Sequence, residues 1–257
     1  MSQTSKQQRL GKNTSQKVPL LTLSNKQPEP HASFWRAPLT LGACAAMAAL
    51  ILAPLVQAAL TPLVSVLVYI DVSESNQPFK AEVQALCRGI PAHLVEGLWS
   101  SDRWSLAKTA DTVFVEGGQT YAGQKDSLKS SCDYVMTPPT GVGTHQGSPI
   151  SLAVASAQTE IQQQQMRGSS DRNVVILGFQ ASETGETEIQ LNPSEFKAQV
   201  ETITSNGSVV LVFTTHVELQ RELKATLAPV KGVRICSYQE TNDCLSWGFN
   251  LARWQKR

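Results

Sequence analysis

The sequence lacks several of the groupings on which common site chemistries are built. Its four histidines, His31, His93, His145 and His216, are scattered. None of its five cysteines forms a C-x-x-C pair, so the spacing of a zinc site is absent. There is no G-x-S-x-G elbow for a serine hydrolase, and neither a Walker loop nor a dinucleotide fingerprint for a nucleotide. Excess charge is lacking too. Net charge is +1, which argues against a nucleic-acid partner, while a hydrophobic fraction of 41% argues against a disordered chain. No internal repeat is evident, and 257 residues leave room for one sizeable domain and an appendage.

Between Ala37 and Leu60 charge is missing altogether, in the run APLTLGACAAMAALILAPLVQAAL. Its length matches the roughly 20 residues that cross a bilayer, and no polar stripe marks it as a soluble helix. Ahead of it, Lys6, Arg9, Lys12, Lys17, Lys26 and Arg36 face the single acid Glu29. That excess predicts a cytoplasmic N-terminus. The expected layout is a disordered basic tail over 1–36, a transmembrane helix acting as signal anchor over 37–60, and an α/β domain over 61–257. It describes a single-pass membrane protein whose C-terminal domain is extracytoplasmic, in contact with the membrane through 37–60. Val56-Gln57-Ala58 leaves cleavage as a signal peptide as the alternative fate. With Cys44 inside the apolar run, four cysteines belong to the domain. Cys87–Cys132 with Cys236–Cys244 is the expected pairing, against the alternative of four buried thiols.

What the chain does contain is organised around Pro62 to Asn76, PLVSVLVYIDVSESN. Leu63 to Ile70 is apolar apart from Ser65 and Tyr69, as suits a strand buried on both faces of a parallel sheet. Asp71, Ser73 and Ser75 follow, where open α/β sheets bind ligands. A carboxylate and two hydroxyls at alternate positions are hard oxygen donors of the kind a small divalent cation takes. Downstream, strand and helix alternate. A helical stretch over Gln77 to Trp99 breaks near Gly89-Ile90-Pro91. Two short strands follow at Asp102 to Thr109 and Thr112 to Glu116, the second closed by Gly117-Gly118. A helix is expected from a Gly-rich loop through Met166, with Ser148 as N-cap and Pro149 at N1. Further strands are expected at Asn173 to Phe179, Ser208 to Phe213 and Val230 to Cys236. A helix covers Val217 to Ala228. A last helix starts from a capping box at Ser237-Tyr238-Gln239-Glu240 and carries Cys244, Trp247, Leu251 and Trp254 toward the core. The pattern reads as a doubly wound α/β domain, a mostly parallel sheet flanked by helices.

The D-x-S-x-S spacing of Asp71, Ser73 and Ser75 after a buried first strand resembles the metal-ion-dependent adhesion site of the von Willebrand factor A family. The resemblance extends over Leu63 to Arg257, and Ser101-Asp102-Arg103 resembles the turn that opens the family's strand pair. It implies a second-motif threonine, matched by Thr144 in Gly143-Thr144-His145-Gln146-Gly147, with Thr140 as the substitute. It implies a bound Mg2+, Mn2+ or Ca2+ whose open coordination position accepts a carboxylate from a protein ligand. The third motif departs from the family. Gln180 stands where the family has an aspartate, which deprives a cation of one negative charge, and Glu183 in the loop beyond is the additional acidic candidate. The expected metal residues are therefore Asp71, Ser73, Ser75, Thr144 and Gln180, with Glu183 added. His145 and His216 fall near the same rim but have no partner carboxylate, and lone histidines are usually structural.

The resulting expectation is a cation-dependent protein-binding module for adhesion or envelope assembly, not an enzyme. One alternative is a metal-free structural envelope domain, favoured by Gln180. The other is a phosphoryl-transfer enzyme using Asp71, which Ser73 disfavours because it stands where a second acid would supply the general acid.

Overall fold

The computed structural model describes residues 62–96, 101–110, 112–121, 125–139, 150–169, 171–180 and 193–254. Its strands are β1 (Val64–Asp71), β2 (Arg103–Thr109), β3 (Val113–Tyr121), β4 (Arg172–Gly178), β5 (Val209–Phe213) and β6 (Val233–Cys236). They form one sheet in the order β3-β2-β1-β4-β5-β6. The β2–β3 pair is antiparallel and the other pairs are parallel. Helices α1 (Lys80–Gly89), α2 (Lys125–Asp133), α3 (Ile150–Met166), α4 (Pro193–Thr204), α5 (Val217–Leu227) and α6 (Thr241–Trp254) flank it.

β1 lies at the centre because its residues suit burial on both faces, and all eight are buried. Val64, Val66, Val68 and Ile70 enter one apolar layer with Leu86 of α1 and Leu245 and Phe249 of α6. Leu67 and Tyr69 enter the other, with Val154 of α3, Val200 of α4 and Leu223 of α5. This period-two division between two cores is the doubly wound arrangement. α6 lies close on β5, since a Cβ built on Gly248 would come within 2.8 Å of Leu211 Cδ1.

The sequence does not announce α2 or α4, and β3 extends through the glycines expected to close it. The capping box at Ser237 and Glu240 is present. Trp254 is 62% exposed, contrary to the core position expected from its helical spacing, whereas Trp247 is partly buried and carries the Arg234 guanidinium over its ring. Both expected cysteine pairs are at disulfide distance, Cys87–Cys132 joining α1 to α2 and Cys236–Cys244 joining β6 to α6.

The expectation of a single-pass membrane protein is corrected. Among the described residues no helix is long and apolar enough to cross a membrane. The segment on which that expectation rested, 37–60, lies outside the described residues, as does the tail over 1–36.

Opposite the carboxyl ends of the strands, one buried ion pair gathers several chain segments. Asp102 is 0% exposed. Its Oδ1 accepts from the Val64 amide at 2.9 Å and its Oδ2 from the Val95 amide at 2.8 Å. Arg253 of α6 pairs with both oxygens and also donates to the carbonyls of Pro62 at 2.8 Å and His93 at 3.1 Å. Both carboxylate oxygens and both terminal guanidinium nitrogens therefore have partners, as burial of charge requires. Asp102→Ala leaves the guanidinium buried without its counter-charge and should cost about 3–5 kcal/mol, read from urea unfolding against wild type.

His93 stacks on Phe249 at this corner, with ring centroids 5.4 Å apart. Burial, then the Arg253 charge, holds its pKa below the usual imidazole value. The folded state thus takes up the proton less readily than the unfolded chain, so His93 lowers stability as pH falls below about 6.5. His93→Gln should flatten the loss of unfolding free energy between pH 7.5 and 5; an unchanged slope would mean that His93 does not contribute to it.

Candidate functional site

The carboxyl ends of the parallel strands carry the residues on which the sequence reading centred. Asp71 ends β1 and is 0% exposed. Its Oδ1 accepts the backbone N–H of Ser73 at 2.9 Å, which turns the chain out of the strand, and Ser73 is likewise 0% exposed. A 3₁₀ turn over Glu74–Phe79 follows. In it, Asn76 donates from Nδ2 to the carbonyl of Asp71, and Gln77 donates from Nε2 to the carbonyls of Val72 at 3.2 Å and Met136 at 3.1 Å. The latter bonds tie the loop after β1 to the turn after α2. That turn is fixed a second time by Lys108 of β2, only 4% exposed, whose Nζ donates to the carbonyls of Tyr134 at 3.0 Å and Thr137 at 2.9 Å.

Gln180 lies two residues past β4 and is 4% exposed. Ile70 and Gly178 are register partners, so Gln180 and Asp71 stand at neighbouring strand ends. The amide oxygen of Gln180 accepts from Thr215 N at 3.0 Å, Thr215 Oγ1 at 2.9 Å and Thr214 Oγ1 at 3.2 Å. A backbone N–H can only donate, which fixes the amide's orientation. The oxygen expected to face an ion is thereby held toward β5, and the nitrogen is buried without a hydrogen-bond partner among the described residues. The Gln180 oxygen is thus engaged by Thr214 and Thr215.

Of the remaining expected residues, Ser75 belongs to the 3₁₀ turn. Thr140, Thr144, His145 and Glu183 lie outside the described residues. His216 has a local structural role: it is the N-cap of α5, and its Nδ1 accepts the Leu219 amide at 3.2 Å.

Three further polar side chains border Asp71 that the motifs did not single out. Thr109 of β2 is its register partner, Asn76 is bonded to its carbonyl, and Tyr238 follows β6. Burial chiefly, and then the negative charges of Asp71 and Glu82, push the Tyr238 hydroxyl above its ordinary pKa. Asn76 Oδ1, Thr109 Oγ1 and the Tyr238 hydroxyl are buried without hydrogen-bond partners among the described residues. Buried polar atoms are normally satisfied, so these ask for water, an ion or a ligand, as do Trp104, Gln164, Asn173 and Gln199 elsewhere in the domain. The oxygens are hard donors, fitting Mg2+, Mn2+ or Ca2+ better than a soft metal. Charge is sparse, for among the described residues no group of three His, Cys, Asp or Glu side chains could hold a metal ion.

Neither a family model nor a curated protein sequence matches this chain. Solved structures do. A von Willebrand factor type A structure from Catenulispora acidiphila gives a TM-score of 0.53 at 13% identity, covering 74% of this chain and 43% of the other. The manganese-loaded TRAP protein of Plasmodium vivax gives 0.51 at 13% identity, covering 75% and 74%. Proximal thread matrix protein 1 from the mussel byssus gives 0.50 at 15% identity, covering 75% and 48%. The chain spans under half the length of the first and third of these structures. The likeness shows the fold, a von Willebrand factor A-like α/β domain, in agreement with the expectation from the D-x-S-x-S strand end.

Gly178 gives the rim a stability test. A Cβ there would meet Ile70 Cδ1 at 2.8 Å and the Tyr238 hydroxyl at 3.3 Å. Gly178→Ala should destabilise the domain by about 1–3 kcal/mol through overpacking, measured by chemical denaturation; a neutral result would show that the strand end yields freely.

Proposed function

We propose that this chain is a protein-binding module that takes a divalent cation at the carboxyl end of β1 and uses it to engage a carboxylate of a protein partner. Asp71 supplies the charge, and Ser73, Ser75 and Thr144 supply hydroxyl oxygens. The observation that carries this reading is the burial of Asp71 and Ser73 at a strand end bordered by orphaned polar oxygens. A carboxylate and a hydroxyl at a strand end are hard oxygen donors of the kind a small divalent cation takes. Because Gln180 adds no charge, the ion is held more weakly than it would be with a second carboxylate in that position, and a Gln180→Glu exchange would be expected to tighten it. The residues over 61–257 are proposed to act as one domain.

A metal-free structural domain is the second reading, and one observation favours it: the Gln180 oxygen is already engaged by three donors from Thr214 and Thr215. Calorimetric titration of the full chain with Mg2+, Mn2+ and Ca2+ separates the two. The cation reading predicts saturable binding that Asp71→Ala abolishes. Absence of heat with all three ions at millimolar concentration would select the metal-free domain.

A further inference from the structure

On the face of the sheet that α3 covers, β2 carries small side chains. Ser105 and Ala107 are the register partners of Leu67 and Tyr69 on β1, and Ala107 is also the partner of Val115 on β3. α3 buries Ala153, Val154, Ala157 and Ile161 in the core beside them. Between the small side chains of β2 and the flank of α3 a cavity of about 460 Å³ remains. That volume falls within the roughly 300–1,000 Å³ of small-ligand sites. Its floor is fixed, because Tyr69 and Ala107 are each 3% exposed and Tyr69 shares a hydrogen bond with the Ser156 side chain.

α3 turns polar side chains toward this space, where packing on a sheet would call for apolar ones. Ser156, Thr159, Glu160 and Gln163 line it at helical spacing, and Arg167, just past the helix, closes the row. The Arg167 N–H donates to the Gln163 carbonyl at 3.1 Å, so the helical rise continues to it. Two of the lining side chains are therefore charged, and of opposite sign. Glu160 is half-buried and Arg167 exposed. Seven residues apart, they lie along one line of the helix with about 10 Å between them. Gln164 Nε2 donates to Glu160 Oε1 at 3.4 Å and orients the carboxylate. Thr159 Oγ1 donates to the Ala155 carbonyl at 2.9 Å, so it offers the cavity an acceptor. Arg103, two residues before Ser105, is paired with Asp171 at 3.9 Å, and Arg167 is the cation that lines the cavity.

We propose that this cavity binds an elongated zwitterion, a short peptide or an ω-amino acid, with its ammonium group at Glu160 and its carboxylate at Arg167. A ligand of one charge would meet one complementary group and one of its own sign, whereas a zwitterion satisfies both. The spacing excludes α-amino acids, whose two charges are adjacent. An extended chain advances about 3.3–3.6 Å per residue, so about three residues bridge the interval. The Tyr69 ring, Ala107 and Val115 give the middle of the ligand an apolar floor, while Ser105 and Gln163 offer it hydrogen bonds. None of these side chains is among those proposed to hold the cation, so the two sites stand or fall separately.

The test is calorimetric titration of the full chain with triglycine, ε-aminocaproate and glycine as the probes. Chelator is present throughout, so the outcome does not depend on a metal. Triglycine should bind saturably, and glycine about tenfold more weakly or worse. Arg167→Gln and Glu160→Gln should each weaken triglycine binding about tenfold. Ser105→Leu, which fills the cavity from β2, should abolish it. Arg167 is exposed, so its variant should keep the wild-type urea midpoint and report on binding alone. Binding of ε-aminocaproate as tight as that of triglycine supports the proposal with charge spacing as the whole signal. Weaker binding supports it with the peptide backbone read as well. Glycine binding as tightly as triglycine overturns the proposal, as does triglycine affinity unchanged in both charge variants. Absence of saturable heat with triglycine and ε-aminocaproate at millimolar concentration also overturns it.

Discussion

A carboxylate held away from water at the end of a wholly buried strand is the constraint around which this domain is arranged. Burying β1 on both faces requires apolar layers on each side, and helices from both halves of the chain supply them. The same burial carries Asp71 to a place where solvent cannot hydrate it. The Ser73 amide, Thr109 in register, Asn76 on its carbonyl and Tyr238 from beyond β6 all gather there. At the amino ends, Asp102 is paired with Arg253 and with the amides of Val64 and Val95, which closes the structure. At the carboxyl ends, Asn76, Thr109 and Tyr238 each keep a buried side-chain oxygen without a hydrogen-bond partner among the described residues.

Much of the architecture was legible because hydrophobic periodicity speaks directly to burial. The β-branched runs of β1, β4 and β5 are continuous and apolar, and the structure places all three inside the sheet. α2 was not legible because KDSLKSSCD offers only Leu128 and Cys132 to a core, too few to mark a period. Gly117-Gly118 read as a stop, yet β3 runs through them; it is an edge strand, where the loss of side-chain packing is tolerated. Trp254 falls off the face of α6 that Cys244, Leu245, Gly248, Phe249, Ala252 and Arg253 bury, so the core does not cover it. The single-pass membrane reading drew on a composition pattern over 37–60 that no described helix matches.

Within the candidate site, the sequence located the acid and its first serine because strand and motif are contiguous. It did not reveal which atom of Gln180 faces the rim, since that depends on Thr214 and Thr215, brought alongside by the β4–β5 pairing. Nor did it single out Tyr238, which is 167 positions from Asp71 and reaches it only through the parallel sheet and the gap at Gly178. Asn76 was inside the stretch that drew attention, but its spacing from Asp71 falls outside the alternating pattern. Lys108 interrupts an apolar alternation, and its reason is the pair of carbonyls it satisfies in the turn after α2.

The most direct measurement of the central claim is anomalous diffraction from a crystal of the full chain soaked in Mn2+. The cation reading predicts a single strong peak within coordination distance of the Asp71 carboxylate and the Ser73 hydroxyl. A well-ordered rim with no anomalous peak at Asp71, or a peak only at surface carboxylates, would contradict it.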